Sequence, residues 1–388
     1  MYKTEVADAK SKLNALRFSI ASLFMLSAFQ VQAADIEKEF YLNTEVTRLS
    51  NPNLVDTNKT PVTVLRVAPE FNLTVASELN KYYLRSMLSV FRNSNEDVLP
   101  NRENPSINAG WERTLATGLF GIQASYIEDV AITQLLTTAG TAAGNNSGNQ
   151  IKTKIIAANL QHDFNSRFSI ENKLSYSDIS FSENTAALVE FATLEGASRL
   201  LYHNNETTST YGQLGFLQFD PDSDISKTKI SRARLGAILI PTDGMKVDAN
   251  AGYYKATGPS SFDGVEAEVL ASYEKDRTNY NFRAVKLVSP TGLNQVQKNT
   301  TFVLGAKYLL SDVSAIGAEF NHTVNKTAQT TFAQNQDIRT KSILAFYEHA
   351  LKDWKFRANA RYLQLDNGIN NPSANEIGIT AIYGRLGF

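Results

Sequence analysis

The chain contains no cysteine, so neither a disulfide nor a thiolate metal site helps to hold it together. It carries no run of 18 or more apolar residues, which excludes helical membrane spans. It also lacks a charge bias, with 38 Lys and Arg against 39 Asp and Glu. That balance gives no reason to expect nucleic acid or an anionic membrane surface as a partner. A chain of 388 residues is ordinarily two soluble domains, yet no proline-rich tract, charge block or change of composition marks a linker. Only four histidines are present, and no glycine-rich phosphate loop.

What is present begins with a three-part N-terminus. MYKTEVADAKSKLNALRFSIASLFMLSAFQVQAADI opens with Lys10, Lys12 and Arg17, continues through the apolar run Phe18 to Phe29, and reaches the small-residue site Val31-Gln32-Ala33. This is the form of a cleaved secretory signal, residues 1–33, leaving one domain over 34–388. The apolar run is too short to cross about 30 Å of hydrocarbon comfortably, which argues against a retained anchor. Removing the signal leaves 34 basic against 37 acidic residues.

The rest of the chain alternates with period two, the pattern of strands with two unlike faces. In VTVLRVAPEFNLTV, Leu65, Val67, Pro69, Phe71, Leu73 and Val75 oppose Arg66, Glu70, Asn72 and Thr74. MKVDANAGYY, VEAEVLASYE and WKFRANARY repeat the scheme, each with one apolar and one polar stripe. These segments run to about ten to fourteen residues, longer than the five or six usual in soluble strands, and they match a tilted membrane crossing. Tight links (LATG, NSR, PTDG, EKDRT, LSD, LKD) alternate with longer polar ones (SNEDVLPNRENP, TTAGTAAGNNSGNQ, TGPSSFDG, KTAQTTFAQNQ, NGINNPSAN). Short turns at one end and long loops at the other characterise transmembrane barrels. Hydrocarbon solvates no amide group, so such a sheet must close on itself. The terminal AIYGRLGF then reads as a last strand that must find the first.

Strands are expected near 39–49, 61–76, 80–93, 104–115, 117–130, 150–163, 166–181, 207–219, 226–240, 244–256, 262–274, 276–288, 296–310, 312–326, 337–350, 352–366 and 374–388. With both ends on one side the number must be even, and the missing strand is placed near 191–204 within ENTAALVEFATLEGASRLLYHNN. The fold class is therefore all-β, an antiparallel up-and-down transmembrane barrel of 18 strands, with 16 as the alternative. Aromatics near strand ends (Tyr82, Tyr83, Tyr126, Tyr176, Tyr253, Tyr273, Tyr308, Tyr347, Trp354, Tyr362, Tyr383) suit an interfacial girdle, although aromatics are common in strands generally.

A barrel of this size is wide enough for an aqueous lumen. Parity assigns Arg66, Glu70, Arg85, Arg232, Arg234, Lys246, Asp248, Glu266, Glu268, Arg283, Lys307, Glu319, Arg357 and Arg361 to its lining. One arc leans basic, Arg232 with Arg234, and another acidic, Glu266 with Glu268. Opposite charges in a pore tune what passes. Against this stands a structural reading, in which lumen charges pair across strands to stiffen the wall.

LFGIQASYIEDVAITQLLTTAG followed by KIIAANLQHDFNSRFSIENKLSYSDISFSEN, the opening FYLNTEVTRLSNPNLV and VLRVAPEFNLTV together resemble the outer-membrane β-barrel porins of Gram-negative bacteria, above all those found beside exopolysaccharide or PEP-CTERM gene clusters. AIYGRLGF is similar to the C-terminal signal read by the barrel assembly machinery, carried here by Ile382, Tyr383, Leu386 and Phe388, with Leu386 in the penultimate aromatic place. The resemblance implies outer-membrane lipid and that machinery as partners, no cofactor, and a conduit for polysaccharide or other hydrophilic solutes.

Three competing readings remain in view. An outer-membrane hydrolase needs a nucleophile, a base and an orienting acid, and His162, His203, His322 and His349 bring no such motif. A non-conducting scaffold would fill its barrel, with the segments 131–149 and 182–206 long enough to fold inward. A soluble sandwich would not explain apolar stripes on every strand. NSNED and FDPDSD are acidic enough for calcium but read as solvated outer loops, so no metal site is expected.

Overall fold

The computed structural model describes residues 35–130, 150–182, 189–222, 227–259, 261–291, 295–327, 337–368 and 370–386. The expected signal segment, the loop TTAGTAAGNNSGNQ up to Asn149, and Phe388 lie outside the described residues.

Among the described residues eighteen strands follow one another without a helix. They are β1 (Asp35–Leu49), β2 (Val62–Ala76), β3 (Asn80–Asn93), β4 (Arg102–Leu115), β5 (Gly118–Val130), β6 (Gln150–Asp163), β7 (Phe168–Phe181), β8 (Phe191–Asn205) and β9 (Thr208–Pro221). The second half comprises β10 (Thr228–Leu239), β11 (Met245–Thr257), β12 (Phe262–Lys275), β13 (Thr278–Thr291), β14 (Gln295–Ser311), β15 (Ser314–Thr327), β16 (Ile338–Leu351), β17 (Trp354–Asp366) and β18 (Ser373–Leu386). Each pairs antiparallel with its neighbour in sequence, and β18 returns to β1 with Glu39 opposite Leu386 and Leu49 opposite Glu376. The sheet is thus closed into a barrel, which leaves no lone edge strand in the wall.

Turns of two to five residues join the strands at the end where β1 begins and β18 finishes, and most longer connections lie at the other. The start of β1, the end of β18 and the short turns share one rim, as the alternation of link lengths predicts.

The two faces differ as their sequences require. Leu235 is 75% exposed, Leu214 68%, Ile377 65% and Ile379 63%, all near mid-strand on the outer face. Burying such a side chain contributes about 1.5–3 kcal/mol, so a belt of them left in water would forfeit a large stabilisation. An apolar surface of this extent has lipid as its natural solvent. On the inner face, rings lie flat over glycines of the next strand. Tyr83 covers Gly110 and Tyr211 covers Gly236, each pair directly opposed in register. A Cβ on Gly236 would stand 2.4 Å from the Tyr211 ring, so that position takes only glycine unless the ring moves.

One hairpin leaves the wall. Pairing between β12 and β13 ends at Ala267 opposite Lys286, while β13 and β14 stay paired out to Thr291 opposite Gln295. Beyond Lys286 the β13–β14 tip has therefore separated from β12. It lies against the inner wall, because Val288 and Val296, on the strand face that points outward lower down, are buried with Phe191, Leu217, Phe219, Ile230, Tyr254 and Ala256. Pro290, which has no amide hydrogen to donate, sits in this freed stretch. Within 182–206, the segment long enough to fold inward under the scaffold reading, Phe191–Asn205 form β8 where a strand is expected, and the inward position is taken by the end of β13 and the start of β14 around Val288 and Val296.

Two further expectations change. Tyr83 points inside, opposite inward Gly110, and is not part of an outer girdle. At the C-terminus, Ile382 lies on the inner face, opposite Asn43 and Lys355, and the outer apolar row of β18 is Ile377, Ile379 and Tyr383.

Candidate functional site

The inner face of a closed antiparallel sheet collects every second residue, so charges far apart in sequence become neighbours. Three groups result.

Along β1–β3 and β17–β18, Arg66 lies 3.6 Å from Glu45 and donates to Ser89 Oγ at 3.0 Å. Arg85 meets Glu70 at 2.8 Å, and Arg361 meets Glu376 at 3.4 Å. Along β14–β17, Glu348 is shared by three cations: Lys307 at 2.7 Å, Lys355 at 3.2 Å and Arg357 at 3.7 Å. Arg357 also stacks over the Phe346 ring at 4.2 Å. This carboxylate leaves its surroundings with a net excess of two positive charges. Glu348 was missed because its isolated position on β16 carries no motif, and only the cross-strand register reveals its partners.

The third group lies on β7–β13. Arg199 approaches Glu171 at 3.6 Å and Asp248 at 3.7 Å, and stacks over Tyr211 at 4.4 Å. The Tyr211 hydroxyl donates to Asp248 at 2.5 Å. Glu266 is 1% exposed and accepts from Arg232 Nε at 3.2 Å, Arg234 Nη2 at 2.5 Å and the Val288 amide at 3.3 Å. Arg232 in turn donates to the Val288 carbonyl at 2.7 Å and pairs with Glu195 at 3.0 Å. The sequence suggests a basic arc and a separate acidic one. The register brings them together, and Glu266 with the two arginines clamps the backbone of the inward hairpin. Glu268 reaches Arg283 at 4.0 Å. Lys246 and Glu319 lie on the inner face with no ion pair among the described residues.

All fourteen charged positions picked by parity thus fall on the inner face, in different states. In Arg85 with Glu70 the guanidinium is exposed and the carboxylate mostly covered, and a pair open to solvent on one side contributes about 0–1 kcal/mol. The Glu266 cluster is buried, and its charges are used up in holding the hairpin.

Among the described residues two histidines contact serines. Ser314 Oγ lies 2.8 Å from His349 Nδ1, and His203 stands between Ser169 at 3.1 Å and Ser209 at 2.9 Å. No carboxylate orients either ring among the described residues, so neither has the third member that an activated serine requires. Among the described residues no group of three or more His, Asp or Glu side chains is placed to hold a metal ion.

No protein-family model matches the sequence, and no curated protein does. Solved structures do match in fold. OccAB4 of Acinetobacter baumannii superposes over 92% of this chain and 100% of its own, with 11% identity and a TM-score of 0.52. A BenF-like porin from Pseudomonas fluorescens covers 91% of this chain and 99% of its own at 9% identity and 0.53. OccK2 of Pseudomonas aeruginosa, solved with glucuronate, covers 91% and 99% at 8% identity and 0.52. At such identities the likeness is one of architecture, and the chain has the barrel fold found in outer-membrane porins.

Proposed function

We propose that this protein is an outer-membrane porin whose lumen passes small hydrophilic solutes. The observation that carries the reading is the contrast between faces: an outer belt fit only for lipid encloses an inner wall of ion pairs and exposed charges. A wall of that kind hydrates a passage. The export signal, insertion by the barrel assembly machinery and residence in outer-membrane lipid follow from the same reading. The fold relative crystallised with glucuronate supports a small sugar-like permeant.

Polysaccharide export is the finer alternative, and it needs the same polar lining. The inward hairpin favours small solutes, because it occupies part of the bore that an extended polymer would thread. Liposome swelling separates the two. Protein-bearing vesicles are expected to swell in monosaccharides and uronic acids, with rates falling steeply for longer oligosaccharides. Absence of swelling in every sugar would overturn the porin reading. Loss of secreted polysaccharide on deletion of the gene, with no small-sugar flux, would favour the export reading over it.

A further inference from the structure

On the outer face of β15–β17, at the long-loop rim, His322, Val324, Lys326, Arg339, Lys341, Gln364, Asp366 and Asn371 line a recess of about 290 Å³. We propose that this recess binds the phosphorylated headgroup of an amphiphile in the outer leaflet. The inference rests on the membrane reading above and adds to it a ligand site on the side facing away from the lumen.

Cross-strand register sets the recess out as rows. Val324, Arg339 and Asp366 form one, and His322, Lys341 and Gln364 the next. These positions share their parity with exposed Ile316, Ile343, Tyr347 and Tyr362, so they point to the membrane side. Directly below comes a wholly apolar row, Phe320, Ile343 and Tyr362. Cations therefore sit one step above hydrocarbon-facing rings, at the depth where headgroups meet acyl chains.

The charges are not already spent. Elsewhere on this rim Arg92 has Glu103 at 3.1 Å, Lys154 has Asp178 at 3.1 Å and Lys227 has Asp220 at 3.2 Å. Within the recess Lys326 holds Asp337 at 3.0 Å, but Arg339 and Lys341 make no ion pair among the described residues, although Asp366 stands opposite Arg339 in register. His322 is fixed by a contact of its Nδ1 with the Thr340 carbonyl at 3.2 Å. A planar guanidinium beside a flexible ammonium suits phosphate oxygens, which accept several charge-assisted hydrogen bonds at once. A soluble anion would have no use for the apolar row beneath, so the recess fits a phosphate carried on acyl chains.

The test uses the full barrel in phosphatidylcholine nanodiscs with a trace of diphosphorylated lipid A, retention being read by native mass spectrometry. The double variant R339Q/K341Q is expected to retain about thirtyfold less lipid A than the parent, from two lost surface charges. The charge-keeping variant R339K/K341R is expected to hold it, as is R92Q, five strands away on β3. Equal retention by parent and R339Q/K341Q after normal insertion overturns the proposal alone. Failure of the parent to insert overturns the membrane reading and the proposal with it. Displacement of lipid A by inorganic phosphate assigns the recess to free phosphate and overturns the lipid assignment.

Discussion

Replacing Leu235 by arginine tests which solvent meets the outer face. Leu235 lies mid-strand on β10, opposite Ala251 of β11 and Gly212 of β9, and is 75% exposed. In a water-soluble protein an exposed leucine exchanged for arginine changes stability by about 0.5 kcal/mol or less in either direction. Facing hydrocarbon near the bilayer midplane, the same exchange costs about 2–4 kcal/mol. The two expectations do not overlap. Glu319→Arg is the internal control: it puts the same side chain on the inner face, where water replaces lipid, and should stay within about 0.5 kcal/mol. Denaturant titration in phospholipid vesicles, followed by the fluorescence of Trp111 and Trp354, measures both. Equal, small effects for the two substitutions would refute the assignment of faces.

Removing the Glu266 carboxylate with Glu266→Ala leaves Arg232, Arg234 and the Val288 amide without their acceptor. Breaking a buried pair in this way costs about 3–5 kcal/mol, and the hairpin it pins should swing away, raising single-channel conductance. Unchanged conductance in a folded variant would show that the hairpin is held without the carboxylate, by its apolar contacts and the Arg232 bond to the Val288 carbonyl. Glu348→Gln turns a cluster of three cations around one carboxylate into three uncompensated cations, so the zero-current potential across a salt gradient should shift toward anions. An unmoved potential would place Glu348 outside the permeation path. Gly236→Val should lower the yield of folded barrel, since its side chain collides with the Tyr211 ring, and Tyr211→Ala should restore it. Failure of that rescue would mean the ring is not the obstacle.

Most of the wall was legible because a barrel strand is specified locally, by alternation and by the turn that follows. β3 and β6 begin and end where their stripes do, and β8 lies where an even count requires a strand. The inward hairpin was not legible, since separation of β13 from β12 after Lys286 depends on packing against residues of β8 to β11, about thirty to a hundred residues away. Traces of it exist in the sequence: Pro290 within a strand, and Lys286 and Lys298 on what should be an apolar stripe. Lys298 ends over the Phe262 ring, at 6.0 Å. Parity placed Arg232, Arg234 and Glu266 on one face but could not bring both arginines to within 3.2 Å of Glu266, because it carries no register. The same gap hid Arg339 and Lys341, which make no ion pair among the described residues.

The most direct test of the whole account is ionic current through the purified protein in a planar bilayer. Discrete conductance steps of uniform size are predicted, enlarged by Glu266→Ala. Stable incorporation into the bilayer with no current steps in either protein would contradict a water-filled passage and leave only a closed scaffold.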